Sequence, residues 1–286
     1  MNSLARIPKF LAPAIGALFL LVLPAAGDTV AFFYALDADL RSFKTFAPES
    51  GQSLSVGTRA IQRLRLGPHA VYAVKMGSGA VETAASAQAL LARIRCDWAF
   101  ALGPAGALAD TVSTGCWYRV DRIIAWQHGS SLSTSPADFP SWNTDWSKLP
   151  TTNIPPPLAT TSTLVVASGE QFISTSADRD RLQALSRADA VDMNGYGLAL
   201  VCADHGVPLF FWKIISDRAD EEAAETFKAF IASHSGEGGK ALAEVIRSLP
   251  PNPNDPNSYP AIAAALQEAG APAGVSRTAA DRPDRP

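Results

Sequence analysis

The sequence predicts an α/β fold built on a parallel or mixed sheet with helices on both faces. Three observations carry this. Short runs are apolar on consecutive positions rather than on alternate ones, as in Thr29–Leu36 (TVAFFYAL), Ala70–Met76 (AVYAVKM) and Val207–Ile215 (VPLFFWKII). A strand with both faces covered needs that pattern. Helical stretches alternate with these runs. Each run stops on Gly, Asp or Ser, residues that terminate strands.

The chain opens on Arg6 and Lys9, an apolar run from Phe10 to Leu23, then Pro24-Ala25-Ala26-Gly27. A basic start, an apolar core and a small-residue site form an export signal, expected to be cut after Gly27. The run is shorter than the ~20 residues of a bilayer span, so no stable membrane anchor is expected after removal. Residues 28–249 then form one domain. Its first strand ends on Asp37-Ala38-Asp39. Ala70–Met76 ends on Gly77-Ser78-Gly79, and an Ala-rich helix follows through Arg93. Trp98–Leu102 ends on Gly103-Pro104-Ala105-Gly106.

Residues 129–163 are rich in Ser, Thr and Pro and include Trp142 and Trp146, which reads as a long loop, a lid or an oligomer contact. Leu164–Ala167 ends on Ser168-Gly169-Glu170. Asp192-Met193-Asn194 opens a helix that stops at Gly206. Val207–Ile215 ends on Ser216-Asp217, ahead of a helix from Glu221 to Ala232. Residues 250–286 form a Pro- and Ala-rich tail for which disorder is expected.

Composition removes several classes of function. The net charge is −3 and no Lys/Arg block exists, so nucleic acid is not an expected partner. Three cysteines without short spacing exclude a disulfide framework and a zinc cluster, leaving at most a Cys96–Cys116 bridge. Four scattered histidines lack metal-ligand spacing, so neither metal nor cofactor is expected.

In such sheets ligands bind beyond the carboxyl ends of the strands. That edge is expected to gather Asp39, Gly77-Ser78-Gly79, Gly103–Gly106, Glu170 and Asp217. Asp217 leaves a strand of Leu, Phe, Trp and Ile, and partial desolvation would raise its pKa toward that of a general acid. Ser-Asp before a helix is also an ordinary N-cap. Asp192 and Asn194 could hold a polyol, or Asp192 could serve the helix N-terminus. Gly77-Ser78-Gly79 suits an anion or a tight turn, and no P-loop Lys follows it. Phe172-Ile173 could stack on a flat ring or belong to the core.

Taken in order, these segments resemble the nucleoside phosphorylase/nucleosidase family, especially its methylthioadenosine/S-adenosylhomocysteine nucleosidase branch. The resemblance lies in Ala35-Leu36-Asp37-Ala38-Asp39, Gly77-Ser78-Gly79-Ala80-Val81, Gly103-Pro104-Ala105-Gly106, Ser168-Gly169-Glu170-Gln171-Phe172-Ile173, Val191-Asp192-Met193 and Val207-Pro208 through Ile215-Ser216-Asp217. It implies a three-layer αβα sandwich with a mixed, mostly parallel sheet, a homo-oligomer, and cleavage of an N-ribosidic bond.

By the same resemblance Asp217, oriented by Ser216, protonates a departing purine. Phe172 stacks on the base and Ile173 reads its edge. Met193 lines the ribose face, Asn194 stands where the ribose hydroxyls are held, and Asp39 activates water. Ser78 and Gly79 lie at the ribose or phosphate subsite, with Gly103 and Ala105 close by. The expected partner is a small nucleoside. Phosphate is the alternative nucleophile, with Arg41, Lys75 and Arg119 as the nearby cations. Three positions depart from the family pattern: Asn194 and Asp39 each stand where Glu is usual, and Lys213 stands where Arg is common.

Overall fold

The computed structural model describes residues 27–48, 53–127 and 139–250. The export segment before Gly27 and the tail beyond Pro250 lie outside the described residues. Among the described residues ten strands form one sheet: β1 (Thr29–Tyr34), β2 (Leu54–Val56), β3 (Arg59–Leu66), β4 (His69–Lys75), β5 (Trp98–Ala107), β6 (Trp117–Ala125), β7 (Ser141–Asn143), β8 (Thr163–Ser168), β9 (Ala190–Asp192) and β10 (Leu209–Asp217). The helices are α1 (Asp37–Lys44), α2 (Ala80–Leu91), α3 (Ser176–Ser186), α4 (Gly195–Asp204), α5 (Ala223–Ser233) and α6 (Glu237–Arg247).

The consecutive apolar residues do what their pattern requires. Neighbours along a strand enter opposite cores: Phe33 and Phe211 pack with Leu90 of α2 and Leu198 of α4. Phe32 and Trp212 pack on the other face with Phe43 of α1 and Ile246 of α6. Full burial of each such side chain stabilises the fold by roughly 1.5–3 kcal/mol. Leu209-Phe210-Phe211-Trp212 is therefore apolar at every position because both faces of β10 are covered.

The sheet is mixed, as expected. Five of the pairings between described strands are parallel and five antiparallel. The sheet also closes on itself. From β5 the ladder passes through β9, β8, β6 and β10, and β10 pairs with β5 again. The other side of β5 carries β1, β4, β3 and β2.

Three local expectations change. Gly103–Gly106 do not end a strand: β5 runs through them to Ala107, held by β10 along its length. Residues 139–163 are not simply loop. β7 pairs with β6, and Trp146 lies edge-on to Trp212 with ring centroids 4.8 Å apart. Its Nε1 donates to the carbonyl of Val120 at 3.0 Å. All three cysteines are unpaired, so no Cys96–Cys116 bridge exists.

Candidate active site

A cavity of about 320 Å³ opens at the carboxyl ends of β1, β4, β5 and β10. That is within the size range of small-molecule sites. Its walls include Leu36 after β1, Met76 and Ser78 after β4, Pro104 and Ala105 on β5, and Ser216 and Asp217 on β10. Met193 and Asn194 follow β9, while Phe172, Ile173, Phe227 and Ile231 complete it.

Asp217 is placed by a break in the β5–β10 register. Ile215 pairs with Ala105 and Asp217 with Gly106, so Ser216 is an extra residue in β10. Such a bulge re-aims side chains, and here Ser216 and Asp217 both border the cavity. Asp217 is only 2% exposed. Its Oδ1 accepts from the backbone N–H of Ala219 at 2.9 Å, closing a turn. It does not cap α5, whose N-cap is Glu222.

The other oxygen, Oδ2, lies 2.7 Å from Ser216 Oγ. Burial raises the Asp217 pKa, and the hydrogen bonds from Ser216 and Ala219 only partly offset it. Ser216 Oγ is also 3.2 Å from the carbonyl oxygen of Ala105. A hydroxyl has one proton to donate. When Ser216 donates it to Ala105, its oxygen can accept from a protonated Asp217. The pair can therefore hold the neutral acid as well as the carboxylate.

Asp192 also borders the cavity, but its carboxylate is committed. Lys213 Nζ lies 2.5 Å from Oδ2, with both side chains fully buried. The N–H of Gly195 donates to the same oxygen at 2.9 Å and to Oδ1 at 3.2 Å. Burial pushes the Lys213 pKa down, while Asp192 works in the opposite direction. Lys213 also donates to the carbonyl of Pro104 at 3.2 Å and lies over the Phe211 ring, 4.1 Å from its centroid. Apart from its place in the family pattern, nothing in an apolar strand announces this lysine; its burial becomes visible only once β9 brings a carboxylate to it.

The mouth is aromatic. Phe172 is 38% exposed, and its ring centroid is 5.7 Å from that of Phe227. Ile231 lies one helical turn after Phe227 and is also exposed. Phe227 and Ile231 did not stand out in the sequence. Their i, i+4 spacing along α5 was the available signal.

Several expected site residues lie elsewhere. Asp39 does not line the cavity. It is fully buried in α1, where Oδ1 meets His234 Nε2 at 3.1 Å and accepts from the N–H of Gly239 at 3.2 Å. The residue reads as a rim carboxylate in the sequence, but α1 starts at Asp37 and turns it toward α6. Gly79 and Gly103 are absent from the lining too. Gly79 has φ 100°, and a β-carbon there would lie 2.1 Å from Glu170 Oε2. Glu170 accepts from the N–H of Val81 at 2.8 Å and so occupies the start of α2 instead of the cavity. A β-carbon on Gly103 would meet Ala35, Lys213 and Met76; this glycine packs behind the wall. Ser78, Ala105, Phe172, Ile173, Asp192, Met193, Asn194, Ser216 and Asp217 do come together.

Among solved structures, the chain is similar to a Helicobacter pylori MTAN mutant with 5′-methylthioadenosine in the active site. The TM-score is 0.69 at 20% identity, covering 78% of this chain and all of that one. An aminodeoxyfutalosine nucleosidase of Helicobacter pylori is 38% identical over 85 residues, or 30% of this chain and 37% of that protein. The chain thus matches little more than a third of that curated relative's length. A 5′-methylthioadenosine/S-adenosylhomocysteine nucleosidase of Buchnera aphidicola is 28% identical over 190 residues, 63% of this chain and 75% of that protein. A family model described as the Phosphorylase superfamily matches residues 22–248. With most of its length matched, the chain belongs to the Phosphorylase superfamily.

Proposed function

We propose that the protein hydrolyses the N-glycosidic bond of a purine-type nucleoside, with Asp217 as general acid to the leaving base. The observation that carries this is a desolvated carboxyl group in a cavity whose mouth is a pair of aromatic rings. Its similarity to proteins named as nucleosidases agrees with it.

The chemistry follows from those parts. As the bond between the sugar's anomeric carbon and the base nitrogen breaks, its electron pair moves onto the base. Asp217 gives a proton to the base and neutralises that charge, leaving an oxocarbenium-like sugar. Water adds to the cationic carbon, and the proton it loses restores Asp217 directly or through solvent. Proton donation of this kind contributes ~10²–10⁴ in rate. Ser216 keeps the acid in place through both protonation states. Phe172 stacks on a flat base, with Phe227 tilted against it at the mouth, and Ile173 supplies backbone groups near the base's edge.

Water is the better nucleophile than phosphate for this cavity. Among the described residues Lys75 is the only cation in its lining, and its Nζ is already paired with Asp37 at 2.8 Å. The test is release of free base from a panel of purine nucleosides with and without inorganic phosphate. Release independent of phosphate is expected; strict phosphate dependence would make the enzyme a phosphorylase, and tight binding without release would make it a binding protein. The Phe10–Leu23 run supports an exported, periplasmic or secreted protein, checked by N-terminal sequencing of the mature chain. A homo-oligomer is expected by light scattering.

A further inference from the structure

We propose that Asn194 reads the substrate's sugar through one neutral acceptor atom, so that the protein takes nucleosides lacking either ring hydroxyl nearly as well as ribonucleosides. This rests on the nucleoside-cleaving reading above and names its substrate class more closely.

Asn194 stands between β9 and α4 and borders the cavity. Its Nδ2 donates to the carbonyl of Gly77 at 2.7 Å and to Thr83 Oγ1 at 2.9 Å. The Gly77 carbonyl can only accept, so the reversed amide would set two oxygens against each other. The orientation is therefore fixed, with both amide hydrogens spent inward. Oδ1 receives no hydrogen bond from the described residues, and it is not among the enclosed side-chain atoms left without a partner. It therefore remains open to the cavity.

The neighbouring carboxylate does not share the task, because the Asp192 side chain is fully buried against Lys213 and the Gly195 N–H. A free carboxylate grips two adjacent hydroxyls with two charged oxygens, and hydrogen bonds to a charged group are about twice as strong as neutral ones. A site built around such a grip rejects an analogue lacking one hydroxyl by ~10⁴–10⁵. A single neutral hydrogen bond discriminates by only about tenfold.

The experiment measures binding apart from turnover. Adenosine, 2′-deoxyadenosine and 3′-deoxyadenosine are titrated calorimetrically into Asp217→Asn protein, alone and combined with Asn194→Glu or Asn194→Ala. Neither deoxynucleoside should bind more than about tenfold worse than adenosine. Asn194→Glu should raise the preference for adenosine at least about tenfold, and Asn194→Ala should bring the ratios to near one. The alanine variant retains a folded readout if the larger glutamate disturbs Gly77. Rejection of both deoxynucleosides by more than about a hundredfold, ratios unmoved in the alanine variant, or no binding of any nucleoside would overturn the inference. Binding with the expected ratios while wild type releases no base would support the inference and sink the cleavage reading instead. Base release from adenosine with strong rejection of both analogues would do the reverse.

Discussion

Replacing Asp217 with asparagine removes one transferable proton and little else. The amide oxygen can keep the hydrogen bond from Ala219, now made at 2.9 Å. The amide nitrogen can donate to Ser216 Oγ, 2.7 Å from Oδ2, while Ser216 donates to Ala105. A buried carboxylate penalised by desolvation is replaced by a neutral group of the same shape, so the fold should be as stable or slightly more so. An amide cannot protonate a leaving base near neutral pH. If Asp217 is the general acid proposed above, its loss should lower kcat by ~10²–10⁴, or about 2.7–5.4 kcal/mol of transition-state stabilisation. Nucleoside Kd should change by less than about threefold, because uniform binding is untouched. Base release followed chromatographically, calorimetric titration and thermal unfolding measure the three quantities. A folded variant retaining more than about a tenth of the wild-type kcat would refute the role given to Asp217.

Ser216→Ala removes a hydrogen bond that opposes the burial-driven rise of the Asp217 pKa. The acid should stay protonated to higher pH, and the alkaline limb of the kcat/KM profile should move upward. Lys213→Met strands Asp192 without its cation, which should cost about 3–5 kcal/mol, read from urea unfolding. Asp39→Asn should leave kcat within about threefold but weaken the α1–α6 contact by about 1.5–3 kcal/mol. Large kcat loss at unchanged stability would restore Asp39 as a water-activating group. The same variant should flatten a pH dependence of stability. Burial disfavours the His234 imidazolium, but the hydrogen bond and charge of Asp39, with help from Glu237, outweigh it and raise the pKa. That contribution is full below the ordinary histidine value of about 6.5 and is lost as pH rises through the raised folded value, which urea unfolding across pH would follow.

Strands buried on both faces were legible because their composition has no alternative reading. TVAFFY and LFFWKII fill two cores at once, and the turn residues after β1, β4 and β10 mark the edge where the cavity opens. β3 was missed for the opposite reason. Its sequence RAIQRLRL buries only Ile61, Leu64 and Leu66, and three arginines hide the apolar side of an outer strand. β5 was cut short because Gly103-Pro104-Ala105-Gly106 has the composition of a turn. Proline lacks a ladder N–H, yet pairing with β10 carries the strand through it. Asp39 illustrates a limit of strand-end reasoning. Proximity to the rim in sequence does not give the direction of a side chain once a helix has begun, and three residues into α1 it faces His234 and Gly239.

The same β5–β10 contact explains why Asp217 can be both dry and reachable. A regular strand would place Ser216 and Asp217 on opposite faces; the extra residue opposite the Ala105–Gly106 step brings both to the cavity. Gly106 leaves room for the carboxylate, since a β-carbon there would sit 2.9 Å from Asp217 Oδ1 and 3.3 Å from the Ala219 side chain. The Ala105 carbonyl beside it receives the Ser216 hydroxyl. One side of the acid is thus packed against β-sheet backbone that excludes water, while the other opens on the cavity. Desolvation raises the pKa, and the bulge turns the carboxyl group toward the cavity; the proton-donor role proposed for Asp217 needs both. The apolar run of β10, interrupted by the paired Lys213, seats the strand that carries this bulge in both cores.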